Sequence, residues 1–213
     1  MILQTPQQPP QKRLVCPKCT RALRNCICQL AYPIANLVEI LVLQHLDETH
    51  NAKNTAGLLL LSLKNSQLQI GETFNPEELQ RWLFEGDKQP LLLYPDTVDC
   101  KALGLAEPEP NEAIKTRPPE QLRLVILDGT WRKSRKMLYL NRSLQSLPRF
   151  TLNKPPASIY RIRKAHSENQ LSTLEASCYA LQELEQQQVD YAPLMRAMEQ
   201  FVAQQSAFIP TKK

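Results

Sequence analysis

The sequence predicts an α/β layered domain, and three observations predict it. Short apolar runs alternate with amphipathic segments along most of the chain, about five strands against five or six helices. One run, Leu122, Leu124, Val125, Ile126 and Leu127, is nearly continuous and stops at Asp128-Gly129, as suits a strand buried on both faces of a parallel sheet. Trp131 then opens a helical pattern that puts Arg132, Arg135 and Lys136 on one face. A carboxylate thus sits at the carboxyl end of a central strand, with a cationic helix after it. Ligands bind at that end of open α/β sheets. A carboxylate beside a site for a polyanion points to chemistry on a nucleic acid.

The composition sets bounds on this reading. With 213 residues, 42% hydrophobic and 22% charged, the chain can hold one sizeable domain and a small appendage. Its net charge of +5 is mild, so the placement of the cations matters more than their sum. No apolar run approaches membrane-spanning length and the amino terminus lacks a signal-peptide pattern, which predicts a cytoplasmic protein with no membrane partner. The five glycines, Gly57, Gly71, Gly86, Gly104 and Gly129, form neither GxGxxG nor a Walker loop. The usual Gly-rich routes to a nucleotide are therefore excluded.

Taken in order, residues 1–13 are rich in Gln and Pro and are expected to be a disordered tail. Residues 14–30 carry Cys16, Cys19, Cys26 and Cys28, in the pattern C-x2-C-x6-C-x-C. Four thiolates this close can close a tetrahedral zinc shell, and a reducing compartment favours a metal site over disulfides. The alternative is four reduced thiols. Arg13, Lys18, Arg21 and Arg24 surround the cluster, either contacting phosphates or simply solvated.

Residues 31–213 form the expected catalytic domain. Leu37 to Gln44 reads as a buried strand, and Asn54-Thr55 as the cap of a helix through about Lys64. His45, at the strand end, is either a ligand-binding or catalytic residue or a hydrogen-bonded structural one. Leu68 to Ile70 is a short strand. Asn75-Pro76-Glu77-Glu78 is a helix start that ends near Gly86. Leu91 to Tyr94 is a strand closed by Pro95-Asp96, and residues 99–119 read as a helical turn and a loop.

Beyond the central stretch, Arg149 to Leu152 is a strand. Tyr160 to His166 is a basic segment that includes Arg161, Arg163 and Lys164. Ser172-x-x-Glu175 is a capping box that opens a helix through about Glu185. The last helix, Ala192 to Gln205, carries a packing face of Leu194, Met195, Met198, Phe201 and Val202. Cys178 belongs to the core.

Asp128-Gly129-Thr130-Trp131 is the D-x-T-W signature, and the chain resembles the DTW-domain family well beyond it. The other matching blocks, in family order, are the four cysteines, Gln44-His45 with Glu48 and Asn54-Thr55, Tyr94-Pro95, Tyr160 to Lys164, and Leu171 to Ala176. Bacterial members that look like this are tRNA-uridine aminocarboxypropyltransferases related to the SPOUT class. The resemblance implies a SPOUT-like sheet with flanking helices and a carboxy-terminal trefoil knot. It also implies S-adenosylmethionine as co-substrate, whose 3-amino-3-carboxypropyl group goes to N3 of a uridine in the tRNA variable loop, releasing methylthioadenosine. The partner is then tRNA, not DNA.

The residue chemistry assigns roles within that frame. Uridine N3 carries a weakly acidic proton and needs a base, for which Asp128 is the best-placed candidate; its other reading is a helix cap. Thr130 is positioned to bond the donor's tail. Trp131 either stacks on a base or packs in the core. Tyr94, Pro95, Asp128, Gly129, Thr130, Leu171, Thr173 and Glu175 are expected to converge on the donor. Arg132, Arg135, Lys136, Arg161, Arg163, Lys164 and His45 are expected to meet RNA. The competing readings are a knotted-class RNA methyltransferase using the same donor, a non-catalytic zinc-containing RNA-binding protein, and the same chemistry on ribosomal RNA.

Overall fold

The computed structural model describes residues 14–95, 100, 104–108, 117–152, 154–160 and 171–207. The tail at 1–13 and the cluster Arg161, Arg163 and Lys164 lie outside the described residues, as does most of the 99–119 loop. Among the described residues five strands form one sheet: β1 (Glu39–Gln44), β2 (Ser66–Ile70), β3 (Gln89–Leu93), β4 (Leu122–Asp128) and β5 (Arg149–Phe150). All pairings are parallel and the order is β2-β1-β4-β3-β5. The α/β expectation therefore holds, and β4, buried at every position, lies at the centre.

Helices cover both faces: α1 (Ala56–Ser62), α2 (Pro76–Phe84), α3 (Trp131–Leu140), α4 (Arg142–Gln145), α5 (Thr173–Leu184) and α6 (Ala192–Ser206). Successive strand side chains point to opposite faces. Ile40, Val42, Leu124 and Ile126 accordingly pack with α1, α5 and α6, while Leu41, Leu43, Val125 and Leu127 pack with α2, α3 and α4. Burying each such side chain contributes about 1.5–3 kcal/mol, which is why the apolar runs of β1 and β4 dictate the middle of the sheet.

Local signals set the element ends. The Asn75 side chain accepts from the amides of Glu77 and Glu78, with Pro76 in the first turn, and Gly86 follows α2 at φ +75°. Ser172 and Glu175 form both halves of a capping box on α5. Two ends fall short of expectation for a tertiary reason. Helix α1 stops at Ser62 because Lys64 N donates to Ile34 O and Leu63 bridges Ile34. Strand β5 stops at Phe150, after which Thr151 bonds the Tyr94 carbonyl through its hydroxyl.

The cysteine segment is docked on this core. Ile27 is fully buried among the side chains of α1, α5 and α6. Gln204 of α6 donates to the Cys26 carbonyl. Among the described residues, no helix is long and apolar enough to cross a membrane.

The topology also locates a crevice. After β1 the chain turns to α1 on one face; after β4 it turns to α3 on the other. The two connections part between the carboxyl ends of neighbouring strands, where Gln44 stands in register with Asp128. Such switch points are where doubly wound sheets bind ligands.

Candidate functional site

Asp128 ends β4 at this crevice and is 3% exposed. Its carboxylate is held by neutral donors. Gln44 Nε2 and Asn54 Nδ2 donate to Oδ2 at 2.8 and 2.6 Å, and Thr173 Oγ1 donates to Oδ1 at 2.7 Å. An ionised carboxylate offers about four lone-pair sites, so about one remains open. Among the described residues no cation pairs with it. The Asp128 carbonyl accepts from His45 N, which fixes the β1 end to the β4 end.

Asn54 serves twice. Its Oδ1 accepts from Ala56 N at the start of α1 while its amide nitrogen reaches Asp128. Thr55, expected to share the cap, instead accepts from Leu174 N, so α1 and α5 are stitched together beside the crevice. The cap of α3 is Thr130, whose side chain accepts from Lys133 N; Asp128 is not that cap. Gly129 keeps the turn tight, since a Cβ there would lie 3.1 Å from Lys133 Cβ.

Both the α5 start and the end of β3 touch the segment from Asp128 to Trp131. Thr173, at the start of α5, bonds Asp128, and the Tyr94 ring packs edge-on to Trp131, centroids 5.8 Å apart. The Arg149 guanidinium lies 5.7 Å from the Tyr94 ring centre. Burial pushes the Tyr94 hydroxyl pKa up, against the Ser134 side chain and the nearby Arg135 and Arg149 charges, which lower it. Trp131 is 50% exposed, so it is not core packing. Pro95 and Thr130 are exposed and Leu171 is half-buried. Glu175 is fully buried and occupied by Ser158 Oγ, Ile159 N and Ser172 N. It holds chain 158–160 against α5.

A cleft of about 740 Å³ lies along the outer face of α3, lined by His45, Glu72, Arg132, Arg135, Lys136 and Tyr139 among others. Its cations are not equivalent. Lys136 pairs with Glu72 at 2.8 Å, and Lys133 pairs with Glu48 at 3.1 Å and Asp47 at 3.3 Å. Among the described residues Arg132 and Arg135 have no carboxylate partner. His45 is buried, with Nε2 on Glu72 Oε1 at 2.9 Å and Nδ1 accepting from Asp47 N, the hydrogen-bonded structural alternative. The hydrogen bond from Lys136, then that from His45, lowers the Glu72 pKa.

The sulfurs of Cys16, Cys19, Cys26 and Cys28 all lie within 4.8 Å of one another, a group that can hold a metal ion. Cys16 Sγ is 3.7 Å from Cys28 Sγ, and Cys19 Sγ 3.8 Å from Cys26 Sγ. Metal–sulfur bonds of about 2.3 Å in a regular tetrahedron put the sulfurs about 3.8 Å apart, so the donor set fits. Without a metal the thiols are driven apart: backbone amides of Cys19 and Lys18 lower the Cys16 pKa to about 6, while burial and then the neighbouring sulfurs push Cys28 up to about 12.

Sequence reasoning singled out Asp128 and Thr173, read Asn54 as a helix cap, which it is, and Gln44 only as part of a matching block; the hold of both on Asp128 was missed. A primary amide at the end of a strand neighbouring a lone carboxylate was the available signal. The Arg21 clamp described below carried none, because its partners are backbone carbonyls.

No solved structure gives a significant match to the chain. Three curated relatives are named tRNA-uridine aminocarboxypropyltransferase 2. The one from Macaca fascicularis is 27% identical over 93% of this chain and 65% of its own length. Those from Drosophila melanogaster and Mus musculus are 32% and 28% identical, over 83% and 91% of this chain and 69% and 64% of theirs. The chain spans about two thirds of the length of these relatives. The DTW domain matches residues 13–206, nearly the whole sequence, and the chain belongs to the DTW domain family.

Proposed function

We propose that the protein is a tRNA-uridine aminocarboxypropyltransferase, acting at N3 of a uridine in the tRNA variable loop. The observation that carries this is the Asp128 carboxylate, buried at the switch point among neutral donors with about one lone-pair site open. The names of the relatives support the reading. Its finer parts go with it: a SPOUT-like sheet with a carboxy-terminal knot, zinc at the four cysteines and a cytoplasmic location.

The donor S-adenosylmethionine carries a sulfonium and an ammonium, and an uncompensated buried carboxylate suits a cationic ligand. Thr173, bonded to Asp128, and Gly129 and Thr130, which follow it, would hold the donor together with Tyr94, Pro95 and Leu171, with Glu175 keeping the α5 start in place. When bound, the donor supplies the electrophilic methylene beside its sulfonium, and methylthioadenosine leaves. Asp128 uses its remaining lone pair to take the uridine N3 proton as N3 is alkylated. Trp131, half exposed beside Tyr94, is placed to stack on a base. Arg132 and Arg135, without a carboxylate partner among the described residues, are the cations of the α3 cleft to meet phosphates; Lys136 must first leave Glu72. Arg161, Arg163 and Lys164 remain part of the proposed RNA surface.

The test is to incubate the full chain with S-adenosylmethionine and unmodified tRNA, then digest and weigh the nucleosides. A uridine heavier by one aminocarboxypropyl group, with methylthioadenosine formed, is the expected result. S-adenosylhomocysteine with a methylated base would replace this function by methyl transfer.

A further inference from the structure

A second cleft lies on the other side of Asp128 and is not used above. It measures about 560 Å³ and runs between the cysteine segment and the chain from Gln44 to Leu61. One flank is apolar, made by Leu60, Leu61 and the 37%-exposed Leu68. The Glu48 carboxylate in its lining is taken by Lys133 and Asn51, and two acceptors in the walls have no partner among the described residues. Gln44 commits its Nε2 to the Asp128 carboxylate, which only accepts. That fixes the amide and leaves Gln44 Oε1 without a partner among the described residues. Asn25, also in the lining, has its Oδ1 buried and without a partner among the described residues. Lys18 and His50 also line the cleft, exposed and without carboxylate partners among the described residues.

A ligand that matches these groups has a flat apolar face, N–H or O–H donors and a negative charge. A nucleotide has all three. The adenosyl end of the donor carries no phosphate and matches only the first two. The volume lies within the range of about 300–1,000 Å³ usual for ligand cavities.

We infer that this cleft binds an unpaired nucleotide of the tRNA substrate, beside the one that is modified. The inference rests on the function proposed above. The cysteine segment builds the outer wall, so a bound metal would serve RNA recognition as well as local folding. One clamp ties that wall to the reaction centre. Arg21 donates from Nη1 to the Ala52 carbonyl and from Nη2 to the Asn54 carbonyl, both at 2.6 Å, and stacks over Phe201. Asn54 in turn donates to Asp128.

Two measurements on the full, metal-loaded chain test this. Leu68→Trp fills the cleft from its exposed side without disturbing buried atoms. It should raise the tRNA dissociation constant about tenfold while leaving S-adenosylmethionine binding unchanged. Photo-crosslinking with a tRNA transcript containing 4-thiouridine should label peptides covering residues 18–25 or 49–51, and Cys26→Ser should abolish that label. Wild-type tRNA affinity in the Trp variant, or crosslinks confined to α3, would overturn the inference. So would loss of S-adenosylmethionine binding, which would make the cleft the donor's. These readouts need no turnover, so they stand apart from a failure to detect the modified nucleoside.

Discussion

The two ends of β4 each bury a charge, and they treat it in opposite ways. At the amino end Arg123 is 2% exposed; at the carboxyl end Asp128 is 3% exposed. Arg123 is neutralised by Glu39, 2.9 Å away, and also donates to the Trp82 and Glu85 carbonyls at the end of α2. A cation at a helix carboxyl end is favourable in its own right. Asp128 meets only neutral amide and hydroxyl donors among the described residues. The first charge is closed within the protein. The second is solvated by the protein and left electrostatically open. Equal burial therefore does not mean equal role: the compensated charge joins elements, and the uncompensated one can act on a ligand.

The largest expected effect lies at the closed end. Arg123→Met removes one partner of a largely buried pair and leaves Glu39 with Gln67 and, at 3.9 Å, Lys88. Breaking such a pair costs about 3–5 kcal/mol. Chemical denaturation should show that loss, while transfer per folded molecule should stay near wild type. A variant of normal stability would break the comparison, because it would mean that Arg123 is not structural either.

Asp128→Asn should invert that pattern. Asn can present its oxygen to Gln44 and Asn54 and its nitrogen to Thr173, whose hydroxyl can accept. The fold should survive. As a general base the carboxylate is irreplaceable, so transfer should slow by roughly a hundredfold, about 2.7 kcal/mol in barrier. tRNA and donor affinity should change far less. The rate should recover in part at higher pH, where more uridine is already deprotonated. Near-normal turnover would make Asp128 a positioning group. Loss of donor binding with normal saturated turnover would make it the partner of the donor's amine.

How much of this was legible in the chain follows the same division. β4 could be read because its apolar residues follow one another, and Asp128 because it ends that run before Gly129. Arg123 sits inside the same run and was read through as part of it. Its destination, the end of α2, depends on a contact 41 residues away in sequence. The Ser172–Glu175 capping box is a local pattern and was read as one. The further grip of Glu175 on Ser158 and Ile159 is not local, so the residue was expected at the donor instead. Likewise α3 showed a cationic face, but periodicity cannot tell that Lys136 is taken by Glu72 while Arg132 and Arg135 are not.

That pair on α3 supplies the smallest expected effect and a third case for the comparison, a charge compensated at the surface. His45 Nδ1 accepts from Asp47 N, so the neutral ring carries its proton on Nε2 and donates it to Glu72 Oε1. Lys136 meets the other oxygen. Glu72→Gln keeps an acceptor for His45 and loses the charge facing Lys136. The Glu72 pKa is lowered in the folded protein, by Lys136 first and His45 second. Its contribution is therefore fully present above the unfolded value of about 4.3 and is lost as pH falls through the lower folded value. The melting temperature of the variant should lie slightly below wild type at neutral pH, and the gap should close below about pH 4. Screening makes surface pairs weak, so the gap should also shrink in high salt, unlike the loss in Arg123→Met. With Lys136 released into the α3 cleft, tRNA binding at low salt should tighten if that cleft holds phosphates. A gap that widens in acid would show that Glu72 is protonated in the native state and would reverse the assignment of the pair.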